Sequence, residues 1–117
     1  MRAYVPIPWP DLAELSRTGQ LPGPRAAFAV DPAWRAGAPA VTEEEWEYEA
    51  QSESASALSA LGGGVVLALD VPDAPAELDD GRLVLPGPVE RAQVQALFTE
   101  DLAWFAVQEA PDLLAGR

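Results

Sequence analysis

The chain has 117 residues and a formal net charge of −12, because nineteen acidic residues outnumber seven basic ones, all of them Arg. Cys, His, Lys and Asn do not occur, which excludes disulfides, thiolate or imidazole catalysis, Cys- or His-ligated metals and Schiff-base chemistry. Carboxylate acid–base chemistry and hard-cation binding through oxygen remain. The negative charge disfavours direct binding to nucleic acid, and we expect neither a cofactor nor a metal centre.

The length is that of one domain, and we expect residues 1–117 to form it around one core. The longest apolar run, residues 63–69, is far shorter than the roughly 20 residues that span a bilayer. No apolar signal-peptide segment follows Met1. We therefore expect a cytoplasmic protein that does not enter a membrane.

The first third of the chain predicts two strands and a helix. Residues Arg2–Ile7 favour a strand, which the following prolines end. Pro10 then suits the first turn of a short helix that reaches Thr18 and stops at Gly19. Residues Arg25–Val30 predict the second strand.

The middle of the chain predicts a long helix and a buried strand. Thr42 can cap the helix while Glu45 reaches back in a capping box, and helical spacing continues until Gly62–Gly64. Val65–Leu69 is an unbroken apolar run of β-formers, which predicts an interior strand covered on both faces. Prolines then predict a surface loop over residues 71–77.

The last third predicts a turn at Asp80–Gly81 and a strand at Arg82–Leu85. Apolar residues then recur at i, i+3 and i+4, so we predict a third helix over residues 89–99, with a strand over residues 92–98 as the alternative. A buried final strand at Leu102–Val107 places Trp104 in the core. The order β-α-β-α-β-β-α-β predicts an α/β (α+β) domain, with a mixed sheet of four or five strands and about three helices.

Four segments resemble a known family: Met1–Pro6, Glu43–Ala50, Val65–Asp73 and Trp104–Leu113. The chain resembles a family of small uncharacterised proteins that open Met-Arg-x-Tyr-Val-Pro, a domain of unknown function found in actinobacteria and other bacteria of high genomic GC content. The resemblance implies no activity and no functional residue.

Asp70 and Glu109 are the catalytic candidates, because each lies at or just beyond the end of an apolar strand, where open sheets place ligand sites. On parallel, adjacent strands, the two carboxylates would pair for acid–base chemistry or metal binding. The alternative is structural, with each carboxylate capping a strand end or pairing with an Arg such as Arg2, Arg25 or Arg82.

Four further residues are binding candidates. Trp9 and Trp34 lie in proline-flanked loops, which suits a contact surface or packing beneath the loop. Glu47 and Tyr48 lie in the acidic run 43–49, which suits a cation, an Arg-rich partner or a solvated helix face.

These observations favour a non-enzymatic, cytoplasmic protein-interaction or regulatory domain that forms a homodimer or binds a protein partner. One alternative is a small carboxylate-based enzyme or ligand binder that uses Asp70 and Glu109. The other is an acidic DNA mimic.

Overall fold

The sheet is built around two apolar strands, β1 (Arg2–Pro8) and β4 (Gly64–Asp70). The computed structural model describes residues 1–72 and 78–116, so most of the predicted loop over 71–77 lies outside the described residues. The two strands pair antiparallel from Arg2 opposite Asp70 to Pro8 opposite Gly64. Residues 64–69 are all buried, because side chains pack against both faces of the sheet there. The predicted interior strand is confirmed.

Four more strands complete a six-stranded sheet: β3 (Arg25–Phe28), β5 (Arg82–Leu85), β7 (Val94–Phe98) and β8 (Trp104–Phe105). A separate two-stranded ribbon consists of β2 (Gln20–Leu21) and β6 (Val89–Glu90). The large sheet has the order β5-β3-β1-β4-β7-β8, and all neighbouring strands are antiparallel. The α+β class is confirmed, whereas the prediction of a mixed sheet with four or five strands is wrong. Strand direction depends on the partner that each strand meets, which local sequence does not encode.

Among residues 1–72 and 78–116, four helices cover the two faces of the sheet. On one face, α1 (Trp9–Thr18) and α4 (Ala110–Ala115) pack against the odd-numbered side chains of β4. On the other face lie α2 (Pro32–Gly37) and α3 (Glu43–Ser56). The number differs from the expected three or so because α2 and α4, each six residues long, were not predicted as helices, and the helix predicted over residues 89–99 does not form.

The start of α3 follows its sequence signal. Thr42 Oγ1 accepts a hydrogen bond from the backbone N–H of Glu45 at 3.2 Å, as predicted for the helix cap. The helix ends earlier than predicted, at Ser56, and a short 3₁₀ turn over Ser59–Leu61 precedes the glycines. Its buried residues are small, namely Ala50, Ser54 and Ala55. Small side chains allow the helix backbone to lie close to the sheet.

The predicted helix over residues 89–99 is wrong, because this segment forms β6, a 3₁₀ turn over Arg91–Gln93, and β7. A register shift next to Gln95 explains the misleading period. Val94 lies opposite Leu69 and Leu97 lies opposite Leu67, so both side chains enter the same core. A β-bulge therefore places residues three apart on one face, which imitates helical spacing.

Within the predicted final strand over Leu102–Val107, only the two residues of β8 form a strand. Trp104 is 44% exposed at the edge of the sheet, so its assignment to the core is wrong. Leu102 has φ of 62°, which interrupts extended structure two residues before the strand begins. After β8 the chain turns through Val107–Glu109 into α4.

Candidate functional site

Asp70 and Glu109 do not come together in the structure. Asp70 accepts a hydrogen bond from Arg2 Nε at 3.0 Å, at one end of the β1–β4 ladder. Glu109 Oε2 accepts a hydrogen bond from the backbone N–H of Ala106 at 2.7 Å. Glu109 also lines a groove beside Trp9. Trp9 directly follows β1 at the opposite end of the ladder, roughly 20 Å from Arg2. One carboxylate thus pairs with an Arg, and the other caps a backbone N–H beyond its strand.

Trp9 lies between two open grooves at the start of α1. The first has a volume of about 400 Å³, and Phe105, Glu109 and Asp112 contribute to its lining. The second has a volume of about 490 Å³ and is lined in part by Glu100 and Asp101. We call this region the Trp9 surface, defined by two aromatic and four acidic side chains: Trp9, Phe105, Glu100, Asp101, Glu109 and Asp112.

The Trp9 surface is strongly negative. All four of its carboxylate residues are exposed, and no described residue that lines either groove is basic. The hydroxyl of Thr99 donates a hydrogen bond to Asp101, which lowers the pKa of that carboxyl. Trp9 is partly buried and packs against the core, and it also lines both grooves beside these carboxylates. Aromatic and carboxylate side chains together suit a guanidinium or ammonium group, through cation–π attraction and charged hydrogen bonds.

Trp34 is held in place by contacts with other residues of the chain. Its Nε1 donates a hydrogen bond to Asp80 Oδ1 at 2.9 Å, and its ring packs on Trp46 with centroids 5.7 Å apart. A Cβ atom added at Gly81 would lie 2.5 Å from the Trp34 ring. Trp34 therefore joins α2 to the turn that precedes β5.

Glu47 takes part in a polar network between α3 and β1. Its Oε1 accepts a hydrogen bond from Tyr4 Oη at 3.4 Å, and Gln51 Nε2 donates to the same phenol oxygen at 3.1 Å. Glu47 Oε2 is buried and has no hydrogen-bond partner among the described residues. Burial raises the pKa of Glu47, and the nearby charge of Glu43 raises it further.

A cavity of about 300 Å³ adjoins this network, and its lining includes Arg2, Arg35, Glu43 and Glu47. Arg35 Nε donates to Glu43 Oε2 at 2.9 Å, and Arg35 Nη2 donates to Glu43 Oε1 at 2.5 Å. These hydrogen bonds lower the pKa of the Glu43 carboxyl. Arg35 and Gln51 could not be predicted from the sequence, because their relation to Glu47 depends on tertiary packing and produces no local pattern.

Tyr48, the neighbour of Glu47, is 59% exposed and lines none of the cavities described above. Successive helix residues point in directions about 100° apart, so Glu47 faces β1 while Tyr48 faces solvent. Within residues 1–72 and 78–116, no group of three or more acidic side chains is arranged to hold a metal ion. The same residues contain no helix with the length and apolar character needed to cross a bilayer.

Comparison with known proteins identifies one family. Residues 1–101 match a family described as "Family of unknown function (DUF6912)". No curated protein and no solved structure gives a significant match. The matched range contains β1 to β7, and therefore the whole lining of the Glu47 cavity, whereas Glu109 and Asp112 lie beyond it.

Proposed function

The chain belongs to this family of unknown function, and we propose that it is a cytoplasmic protein-interaction domain that binds a basic segment of a partner protein at the Trp9 surface. The observation that carries the proposal is the combination, around Trp9, of two aromatic rings and four exposed carboxylates with no basic residue among the described lining. An Arg side chain can stack on an indole while its N–H groups pair with carboxylates.

Tight binding at this surface requires several contacts at once, because each contact contributes little free energy. An exposed ion pair contributes only about 0.2 to 1 kcal/mol, and a cation–π contact at an exposed site about 0.5 to 1 kcal/mol. One Arg at this surface would therefore bind weakly. A segment with several basic residues can occupy both grooves beside Trp9, which suits the two volumes of about 400 and 490 Å³.

The net charge of −12 supports the same partner class at longer range. A strongly negative protein attracts a basic partner before contact, which raises the association rate and makes it depend on salt. The partner should therefore be basic along the segment that binds, and the affinity should fall as the ionic strength rises.

The other functions have less support. The separation of Asp70 from Glu109 removes the carboxylate pair that an acid–base enzyme would need. Exposed Val84 on β5 and exposed Trp104 on β8 lie at opposite edges of the sheet, so these two residues do not form one apolar patch for a homodimer. An acidic DNA mimic would offer its charge without an aromatic groove.

The test is titration of the protein with a synthetic peptide of alternating Arg and Ser residues. Calorimetry measures the affinity, and amide NMR shifts locate the binding site. We expect shifts around Trp9 and β8. The double variant Glu100→Gln/Asp112→Asn should bind the peptide about tenfold more weakly, because it removes one carboxylate from each groove.

The matched control is Glu44→Gln/Glu49→Gln, which changes the net charge equally on the exposed side of α3. It should alter the affinity by less than about twofold, through long-range charge alone. Equal losses in the two double variants would show that only net charge attracts the peptide. That result, or shifts confined to α3, would reject the Trp9 surface as the binding site.

A further inference from the structure

The helix α4 is held to the rest of the domain by a small apolar contact. It has six residues, and Ala110 is the only one of them that is buried. Leu113 and Leu114 are partly buried and pack against the core, where α4 lies on α1. No side chain caps its first turn, and an isolated helix of this length is unstable in water.

Polar side chains do not hold α4 in place. Among the described residues, no side chain of residues 110–116 takes part in a hydrogen bond or an ion pair. At its end, the backbone N–H of Gly116 donates to Asp112 O at 3.0 Å, which is a bond within the same segment. The attachment of α4 to the sheet and to α1 therefore depends on Ala110, Leu113 and Leu114.

Two grooves border α4 through different residues. The larger has a volume of about 730 Å³, and Ala110 and Pro111 line it together with Leu15 of α1. The smaller is the groove of about 400 Å³ beside Trp9, to which α4 contributes Asp112. A side chain that borders a groove has fewer packing contacts than one in a filled interior. Elements with few buried contacts open locally, at a lower free energy than the whole domain needs to unfold.

The Trp9 surface is assembled from two parts of the chain, and the position of α4 decides whether they meet. Glu100 and Asp101 belong to the turn between β7 and β8, whereas Glu109 directly precedes α4 and Asp112 lies within it. If α4 leaves α1, the groove that Asp112 lines is lost, while Glu100 and Asp101 stay beside Trp9. A ligand that contacts both parts therefore binds the closed form more tightly than the open form.

We propose that α4 is a strap whose local opening regulates the Trp9 surface, and that a bound basic segment holds the strap closed. This inference rests on the function proposed above, because the basic segment is the ligand that distinguishes the two forms. None of the described residues that line the two grooves beside Trp9 is basic, so the segment brings Asp112 its first opposite charge. In the open form the segment meets only part of the surface, and its affinity is lower.

Amide hydrogen exchange, measured by NMR on the whole 117-residue chain, tests the strap in the free protein. The amides of Ala115 and Gly116 report on α4, and that of Leu67, paired on both sides in β4, reports on global unfolding. After correction for intrinsic rates, the α4 amides should exchange at least about a hundredfold faster than Leu67. Equal rates would show that α4 opens only when the domain unfolds, and would overturn the proposal.

The peptide of alternating Arg and Ser residues tests the coupling. At a free peptide concentration ten times its Kd, exchange of the α4 amides should slow about tenfold, because the strap opens only after the peptide dissociates. Calorimetry on the same sample distinguishes the two proposals. Absence of binding would reject the Trp9 surface as the site, and the coupling with it. Binding that leaves α4 exchange unchanged would reject the coupling alone.

A variant outside the Trp9 surface tests the apolar contact. Leu114→Ala removes a partly buried side chain that lines neither groove beside Trp9, and Leu61→Ala is the matched control at an exposed position. Leu114→Ala should speed α4 exchange about tenfold in the free protein, and the peptide should slow it again. Leu61→Ala should change it less than about twofold. Equal α4 exchange in the two variants would show that this contact does not close the strap.

Discussion

Tyr4 and Glu47 are 43 positions apart in the chain, and the hydrogen bond between them joins β1 to α3. Gln51 completes the link by donating to the same Tyr4 oxygen. Burial is the main cause of the raised pKa of Tyr4, and it is also the main cause of the raised pKa of Glu47. The junction of helix and sheet therefore contains a carboxylate whose ionised form is disfavoured by the fold.

This carboxylate predicts a pH dependence of stability. The pKa of Glu47 in the folded state lies above its ordinary value of 4.5, so between these values the folded state binds more protons than the unfolded state. This contribution to the free energy of unfolding should be complete below pH 4.5 and should be lost as the pH rises through that window. Glu47→Gln should flatten this part of the profile and be more stable at neutral pH, by up to about 1 kcal/mol.

Urea unfolding across a pH series checks this expectation. Glu49→Gln removes an exposed carboxylate from the same helix and corrects for the general decrease in negative charge. Its profile should remain parallel to that of the wild type through the window above 4.5. A Glu47→Gln profile parallel to that of Glu49→Gln would contradict the role assigned to burial.

Substitution of Gly81 by Ala should greatly reduce the free energy of unfolding, and the same substitution at Gly62 is the control. The two glycines have φ of 82° and 81°, but a Cβ atom at Gly81 would lie 2.5 Å from the Trp34 ring, and one at Gly62 would meet nothing within 4 Å. Gly62→Ala should cost about 1 to 2 kcal/mol for its backbone conformation alone. Gly81→Ala should cost about 2 to 5 kcal/mol, because overpacking is added. Equal costs in thermal or urea unfolding would show that Trp34 moves aside freely.

Asp31 and Thr42 both cap helices, but we expect the loss of each side chain to cost a different amount of stability. Its Oδ1 accepts from the backbone N–H of Ala33 at 2.9 Å, and its Oδ2 accepts from the N–H of Gly81 at 3.2 Å. Asp31 is buried, whereas Thr42 caps α3 from an exposed position. Asp31→Ala should cost about 2 to 3 kcal/mol, because it removes a cap and leaves a buried N–H unpaired. Thr42→Ala should cost about 1 kcal/mol in the same unfolding measurement.

The ion pairs predict that Asp11 contributes more to stability than Asp70. In the Arg25–Asp11 pair the side chains are 20% and 30% exposed, against 37% and 60% in the Arg2–Asp70 pair. Asp11→Asn should cost about 1 to 2 kcal/mol, and Asp70→Asn less than about 0.5 kcal/mol. The cost of Asp70→Asn should disappear at high salt. A larger and salt-resistant cost at Asp70 would show that its pairing with Arg2 is shielded from solvent.

Local signals in the sequence predicted those parts of the fold that neighbouring residues decide. The cap at Thr42, the glycine that ends α1, the Asp80–Gly81 turn and the apolar run of β4 all appear where the sequence places them. Each depends on the conformation or burial of a few consecutive residues. For the same reason, the α+β class could be predicted from the order of elements.

Tertiary structure alone decided how the segments pair and which side chains meet. The bulge beside Gln95 gives a strand the spacing of a helix, and the antiparallel sheet places Asp70 far from the Trp9 groove that Glu109 lines. The local surroundings of Glu47 and Trp9 made both residues candidates, but the carboxylates around Trp9 and the contact of Glu47 with Tyr4 arise only when distant segments pack. Local propensity acts over a few residues, whereas register and direction depend on burial across the whole core.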